Sequence, residues 1–358
     1  MPPTEMSPRE RVLTAMRREK PDRVPKNWSF TPAVQEEFER QTGATNAAEY
    51  FGFEQRGVGF RGPEELPDFS PYYPDGIPEG TALSEYGSGR VPSDFYHFTS
   101  RIYPLEHVDT VEGLEQFPWP DYTPEHRHEH LEEAVARLHA DEWFVAGSVG
   151  HIWENAWQMP RMEKLMEAMV LDPPYAAYIF DRITEDRAFM SKRYGQAGAD
   201  MIHCGDDIGM QDRLMMSPKM WREWLKPRWR RVIKAAKDEN PDILAWYHSD
   251  GDVRPVIEDL IEIGFDILNP VQPECMDPAE LKRQYGDRLA FWGCIGTQTT
   301  MPFGTPDDVR EAVKWTIDNV GYDGGLLIAP THVLEPDVPW ENIEALYEAV
   351  QEYGVYDD

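Results

Sequence analysis

Residues 243–251 read ILAWYHSDG, and this stretch decides the fold. A short apolar run, Ile243 to Tyr247, ends abruptly in His248, Ser249, Asp250 and Gly251. A helical pattern starts at once, with Val253, Val256, Ile257, Leu260 and Ile261 on one face and a stop at Gly264. An apolar strand that delivers polar side chains at its C-terminal end and then feeds a helix is the repeating unit of an α/β barrel.

The same unit recurs on both sides. Strands are predicted over 143–149, 201–204, 243–247, 266–270, 289–293 and 326–329, with amphipathic helices between most of them. One such helix follows Thr305-Pro306, and another carries Ile343, Leu346, Tyr347 and Val350. Near the N-terminus, Ser7 caps a helix over 7–18, and strands are predicted over 23–30 and 54–60. Short apolar strands alternating with helices imply a parallel sheet covered by helices. Eight of them favour an α/β fold of the (β/α)8 TIM barrel type, as one domain over residues 1–358. A doubly wound sheet is the competitor, but no glycine-rich phosphate loop follows a strand.

Residues 62–142 break the rhythm. They are rich in Pro, Gly, Tyr and acidic residues, and they are expected to form an insertion with a β-hairpin over 86–103 and a helix over 125–139. His126, His128 and His130 fall in that charged helix and are expected on the surface.

The chain has 358 residues and a formal net charge of −30. That charge argues against nucleic acid and anionic membranes as partners. It fits either adaptation to high salt or an ordinary acidic enzyme. No apolar run approaches the ~20 residues of a membrane span. The charged N-terminus lacks a signal-peptide core, and three cysteines make no disulfide framework, so a cytoplasmic location is expected. Cys204, Cys275 and Cys294 are expected to be small buried residues, with Cys294 at a strand end.

If the barrel is right, the residues after each strand converge on one face: Trp28, His151 and Glu154, Asp206 and Asp207, His248 and Asp250, Gln272 and Glu274, Thr297 and Gln298, Thr331 and His332. Asp206 or Asp207 is placed to move a proton or anchor a substrate. The bland alternative for Asp250 is a helix N-cap.

The pattern resembles the uroporphyrinogen decarboxylase-like superfamily. The resemblance runs through Arg9-Glu-Arg-Val-Leu, Pro21-Asp-Arg-Val-Pro, Gly205-Asp-Asp-Ile-Gly-Met-Gln, His248-Ser-Asp-Gly, Asn269-Pro-Val-Gln-Pro-Glu-Cys-Met-Asp and Ala329-Pro-Thr-His. It implies a (β/α)8 barrel with its site at the strand C-termini. The superfamily's decarboxylases need no cofactor and carry an Arg-rich N-terminal loop. The matching residues 25–30, PKNWSF, contain no Arg.

The corrinoid-dependent methyltransferase branch is the nearer resemblance. It holds zinc through a His-x-Cys pair and a later Cys or His, and the zinc activates a thiol. Here the pair is His248-x-Asp250. The resemblance then implies His248, Asp250 and His332 as metal ligands, with Glu274 as a fourth. That harder set suits zinc first, with iron(II) or manganese as alternatives. Asp206, Asp207 and Asp250 are the catalytic candidates, and Trp28, His151, Trp153 and Gln272 the substrate-binding ones. The expected function is metal-dependent methyl transfer or demethylation of a small molecule, with a corrinoid protein as partner and a homodimer compatible with the fold. Cofactor-free decarboxylation and a non-catalytic ligand-binding barrel are the alternatives.

Overall fold

The computed structural model describes residues 5–92 and 100–356. Seven parallel strands form one sheet in the order β1 (Gln55–Val58), β5 (Phe144–Gly150), β6 (Met201–Gly205), β7 (Leu244–His248), β8 (Ile267–Asn269), β9 (Ala290–Ile295) and β10 (Leu326–Pro330). Chain order and sheet order agree, as successive right-handed β–helix–β units require. The remaining strands, β2 (Ala82–Leu83), β3 (Gly89–Arg90) and β4 (Arg101–Ile102), make a small antiparallel sheet between β1 and β5 in the chain. β3 and β4 pair within the predicted hairpin, whose residues 93–99 lie outside the described ones.

Strand alternation divides the core in two. Inward side chains Phe144, Ala146, Met201, Leu244, Trp246, Ile267, Ala290, Trp292, Leu327 and Ala329 fill the barrel interior. Val12, Ala15 and Met16 of the helix Pro8–Met16 belong to the same cluster, so this helix packs into the barrel. Outward side chains pack under the helices in a larger cluster, which also takes in Phe69, Tyr86, Leu114 and Phe117 from between β1 and β5.

Residues 23–30 correct one expectation. They form no continuous strand. Single bridges join Lys26 to Ile328 and Phe30 to Leu334 in parallel, and Arg23 to Val355 in antiparallel. Pro25 has no N–H to give a ladder. The segment still occupies the eighth position of the barrel. The Ile328 N–H donates to the Pro25 carbonyl at 2.9 Å, and on the other side the Lys26 N–H donates to Glu54 and Asn27 donates to Gln55.

A second correction concerns the predicted helix over 125–139. A 3-10 turn at Glu125–Arg127 precedes the helix Leu131–Ala140. His128 is buried against Phe60 and Phe189 and accepts from Arg193, so it is not a surface residue.

The N-terminal motifs have a structural reason. Arg11, 2% exposed, donates to Asp22 at 2.7 and 2.8 Å and to the Met6 carbonyl, and it lies 3.6 Å from Glu54. One guanidinium thus ties the helix that packs into the barrel to the closing segment. Its removal leaves the half-buried Asp22 and the buried Glu54 with backbone N–H donors but without this guanidinium. Arg11→Met is expected to cost about 3–5 kcal/mol, whereas Arg40→Ala, which breaks an exposed pair with Glu37, is expected to cost no more than about 1 kcal/mol. Urea unfolding of the two variants checks the difference.

Candidate functional site

The site is built at the C-terminal ends of β6, β7 and β8. Their register sets Gly205 beside His248, and His248 beside Asn269. Gly205 adopts φ +150°, and a Cβ there would come within 2.2 Å of the His248 carbonyl oxygen. Only glycine lets the two strand ends approach this closely. Gly251, at φ +79°, similarly lets the loop after β7 cross the loop after β6.

His248 is held by a directed hydrogen bond. Its Nδ1 lies 2.6 Å from Asn269 Oδ1, and Asn269 Nδ2 donates to the Trp292 carbonyl at 2.8 Å. The second bond turns the amide oxygen toward His248. Nδ1 therefore carries the proton, and Nε2 offers a lone pair. That nitrogen lies 3.5 Å from Asp207 Oδ1 and 4.0 Å from Asp250 Oδ1. The Asp250 N–H donates to Asp207 Oδ1 at 2.8 Å, which locks the two loops together.

Asp250 Oδ1 is buried and accepts no hydrogen bond. Burial pushes the Asp250 carboxyl up, and Asp207 adds to this against the pull of His248 and His332. An orphaned carboxylate oxygen facing an imidazole lone pair is unfavourable unless something positive lies between them. His248, Asp207 and Asp250 bring one donor atom each within 4.8 Å of one another. A tetrahedral shell with bonds of about 2.1 Å needs ligand atoms roughly 3.4 Å apart. The donor set fits a divalent cation.

The predicted ligands separate here. His248 and Asp250 come together, and Asp207 joins them. His332 lies close enough for its charge to act on Asp250, and it lines both cavities beside the cluster. Glu274 lies outside this group: its Oε1 accepts from the Gln298 N–H and the Thr299 hydroxyl, and its Oε2 is buried without a partner.

A second cluster lies alongside. His151 Nδ1 sits 2.7 Å from both Glu154 Oε2 and the Gly205 carbonyl. Burial opposes protonation of His151, but the bond to Glu154 and the charges of Glu154 and Asp206 outweigh it, and the imidazole is pushed up to about 9. Asp206 is fully buried. Its Oδ1 accepts from the Ile152 and Glu154 N–H groups and its Oδ2 from the Trp229 indole. Asp206 therefore caps the helix Trp153–Trp157 and anchors Trp229 from beneath the site. Burial also raises its carboxyl to about 7.

Two cavities meet at His332 and Val333. The inner one, about 280 Å³, runs into the barrel between Trp28, Trp246 and Trp292, with His203 and His248 in its wall. The outer one, about 340 Å³, is lined by Asp250, Gln272, Gln298 and Asp337. Trp28 thus faces the inner cavity, and Gln272 the outer one, while its Oε1 accepts from the Gly251 N–H at 2.6 Å. Trp153 does not reach either: it is fully buried and stacks on Phe180, a correction to the expected pocket lining. Cys204 and Cys294 are buried, and burial raises both thiols, Cys294 to about 12.

His203, Trp246, Trp292 and Asn269 were not among the expected site residues. The alternation within MIHCG and LAWYH points His203 and Trp246 inward with His248, and that signal finds two of them.

The His151–Glu154 pair carries a pH prediction. The folded-state value of His151 lies above its ordinary one, so its stabilisation is full below about pH 6.5 and is lost as pH rises through about 9. Wild type is expected to lose stability over that window. Glu154→Gln is expected to flatten the loss, as read from urea midpoints at each pH.

Comparison with known proteins agrees with this architecture. Over 159 residues the chain is 32% identical to the methylcobamide:CoM methyltransferase MtaA of Methanosarcina barkeri, covering 44% of this chain and 43% of that one. The match thus spans less than half the length of that relative. A uroporphyrinogen decarboxylase of Serratia proteamaculans is 23% identical over 294 residues, 76% of this chain and 75% of that one. Among solved structures, a methyltransferase from Methanosarcina mazei superposes with a TM-score of 0.65 at 21% identity over 98% of this chain and 99% of that chain, a likeness of fold. Residues 100–353, more than half of the chain, match the family described as uroporphyrinogen decarboxylase (URO-D). The chain belongs to the uroporphyrinogen decarboxylase (URO-D) family.

Proposed function

We propose that this chain is a methyl-transfer enzyme acting on a small molecule, with a divalent cation held by His248, Asp207 and Asp250 and with a corrinoid protein as its partner in transfer. The observation that carries the reading is the orphaned Asp250 oxygen opposite the His248 lone pair, at the mouth of an aromatic cavity. Similarity to a methylcobamide:CoM methyltransferase supports methyl transfer over decarboxylation. The wall of the inner cavity contains no Lys or Arg, which suits a porphyrinogen's carboxylates poorly.

A bound cation would act as a Lewis acid on the reacting group. One nitrogen and two oxygens form a harder set than a thiolate site, compatible with zinc, iron(II) or manganese. The chain's own residues do the rest. Asn269 fixes the His248 tautomer and ring orientation. The Asp250 N–H holds the Asp207 carboxylate in place. Trp28, Trp246 and Trp292 give the inner cavity its apolar surface. His151, 39% exposed and paired with Glu154, holds a proton at the rim. Asp206 is a positioning residue, because both its oxygens are already used by Ile152, Glu154 and Trp229.

Elemental analysis of the purified protein is expected to find about one equivalent of zinc, iron or manganese, as a single three-donor site implies. His248→Ala and Asp250→Ala are expected to lose it, and Glu274→Ala to keep it. No ion in the wild type after incubation with each metal would remove this reading.

Asn269 gives a finer test. Asn269→Leu removes the acceptor for His248 Nδ1 without touching a ligand. Loss of such an outer partner costs roughly 10–100-fold in metal affinity. Competition with a chromogenic chelator is expected to show a loss of that size.

A further inference from the structure

We propose that His203 selects the substrate of the inner cavity, and that this substrate is an uncharged, flat aromatic molecule whose hydrogen-bonding group meets the His203 ring. The inference rests on the reading that the inner cavity receives the small molecule that takes part in methyl transfer.

His203 stands at an inward position of β6, in register with Trp246 of β7. Its ring packs on Trp246 with centroids 3.6 Å apart, and Trp246 in turn stacks on His248 at 10° between planes. The column runs from the cavity wall to the candidate metal ligand. His203 lines the cavity, and among the described residues no hydrogen bond reaches either of its ring nitrogens. A partly buried imidazole is normally satisfied by protein or water. Here its capacity is left to whatever enters.

The ring is also uncharged. Burial is the main cause that pushes it down, to about 3. A neutral imidazole supplies one N–H donor and one acceptor. With no Lys or Arg in the wall, an anion lying between His203 and the indoles, away from His248, would lose hydration without a cationic side chain to replace it. Three indoles, Trp28, Trp246 and Trp292, stand in the wall beside polar groups such as Asn27, Gln55 and Asn269, and they favour a flat ring by stacking and edge contacts. Shape, charge and hydrogen bonding thus select the same class of molecule.

Phenol, benzoate and toluene separate these features, because at pH 7 phenol (pKa about 10, as for a tyrosine side chain) is neutral and benzoate is an anion. Saturable quenching of tryptophan fluorescence in the purified wild-type protein, repeated with a chelator present so that no bound cation takes up benzoate, reads binding. Phenol is expected to bind, and benzoate at matched ionic strength to bind at least about tenfold more weakly. His203→Phe is expected to weaken phenol by about tenfold or more and to leave toluene unchanged, while His203→Gln recovers part of the phenol affinity. Benzoate binding as tightly as phenol, or phenol affinity untouched by both variants, would overturn the proposal. If His203→Phe does not fold, the wild-type comparison and His203→Gln decide. No step needs metal or turnover, so a failure here is separable from a failure of the methyl-transfer reading, which metal content tests.

Discussion

The hydrogen bond between His248 Nδ1 and Asn269 Oδ1 is the interaction on which the site depends. It links the ends of two adjacent strands and assigns the imidazole a tautomer, a direction and a free lone pair. It forms because β7 and β8 pair with His248 opposite Asn269. A slip of one residue would turn His248 out of the barrel and bring Tyr247 in. The register is secured by the interior side chains, Leu244 and Trp246 on one strand and Ile267 on the next. Packing inside the barrel and chemistry at its rim are therefore one constraint read at two heights.

Electrostatics sets this rim apart from the rest of the surface. The chain carries a net charge of −30. Most of its carboxylates are solvated or paired with Arg and Lys on the surface, where each pair is worth little. Asp207 and Asp250 differ. They sit together in a partly buried corner whose nearest positive candidates are histidines. Asp206, one residue away, avoids the problem because it accepts three hydrogen bonds. Adjacent aspartates thus do different work: one is buried as a helix cap, and one faces the site.

The barrel was legible because each buried strand reads as a short apolar run and each helix as a period of 3.6. The strand-end residues lie at the C-terminal ends of the parallel strands, and His248-x-Asp250 stands out in ILAWYHSDG. What escaped was whatever depends on side-chain direction in three dimensions. Glu274 sits near the right strand end, but the following loop turns it toward Gln298 and Thr299. Trp153 follows a strand closely enough to look exposed, yet its helix turns it into the core. His203 and Trp246 lie within strands, and attention to strand ends passes over them although their alternation with His248 is visible. Residues 23–30 carry the apolar pattern of a strand, but Pro25 leaves only isolated bridges.

With Asp250 where the resemblance implies a thiolate, a cation bound under the proposed function would have a shell of nitrogen and oxygen. X-ray absorption at the edge of the bound metal tests this most directly, because sulfur and oxygen neighbours differ by about 0.2–0.3 Å in bond length. The account predicts a first shell of one imidazole and carboxylate or water oxygens near 2.0–2.2 Å, with no sulfur scatterer. A sulfur shell near 2.3 Å would mean that a cysteine had been drawn into the site, and would contradict the assignment of Asp250 as its ligand.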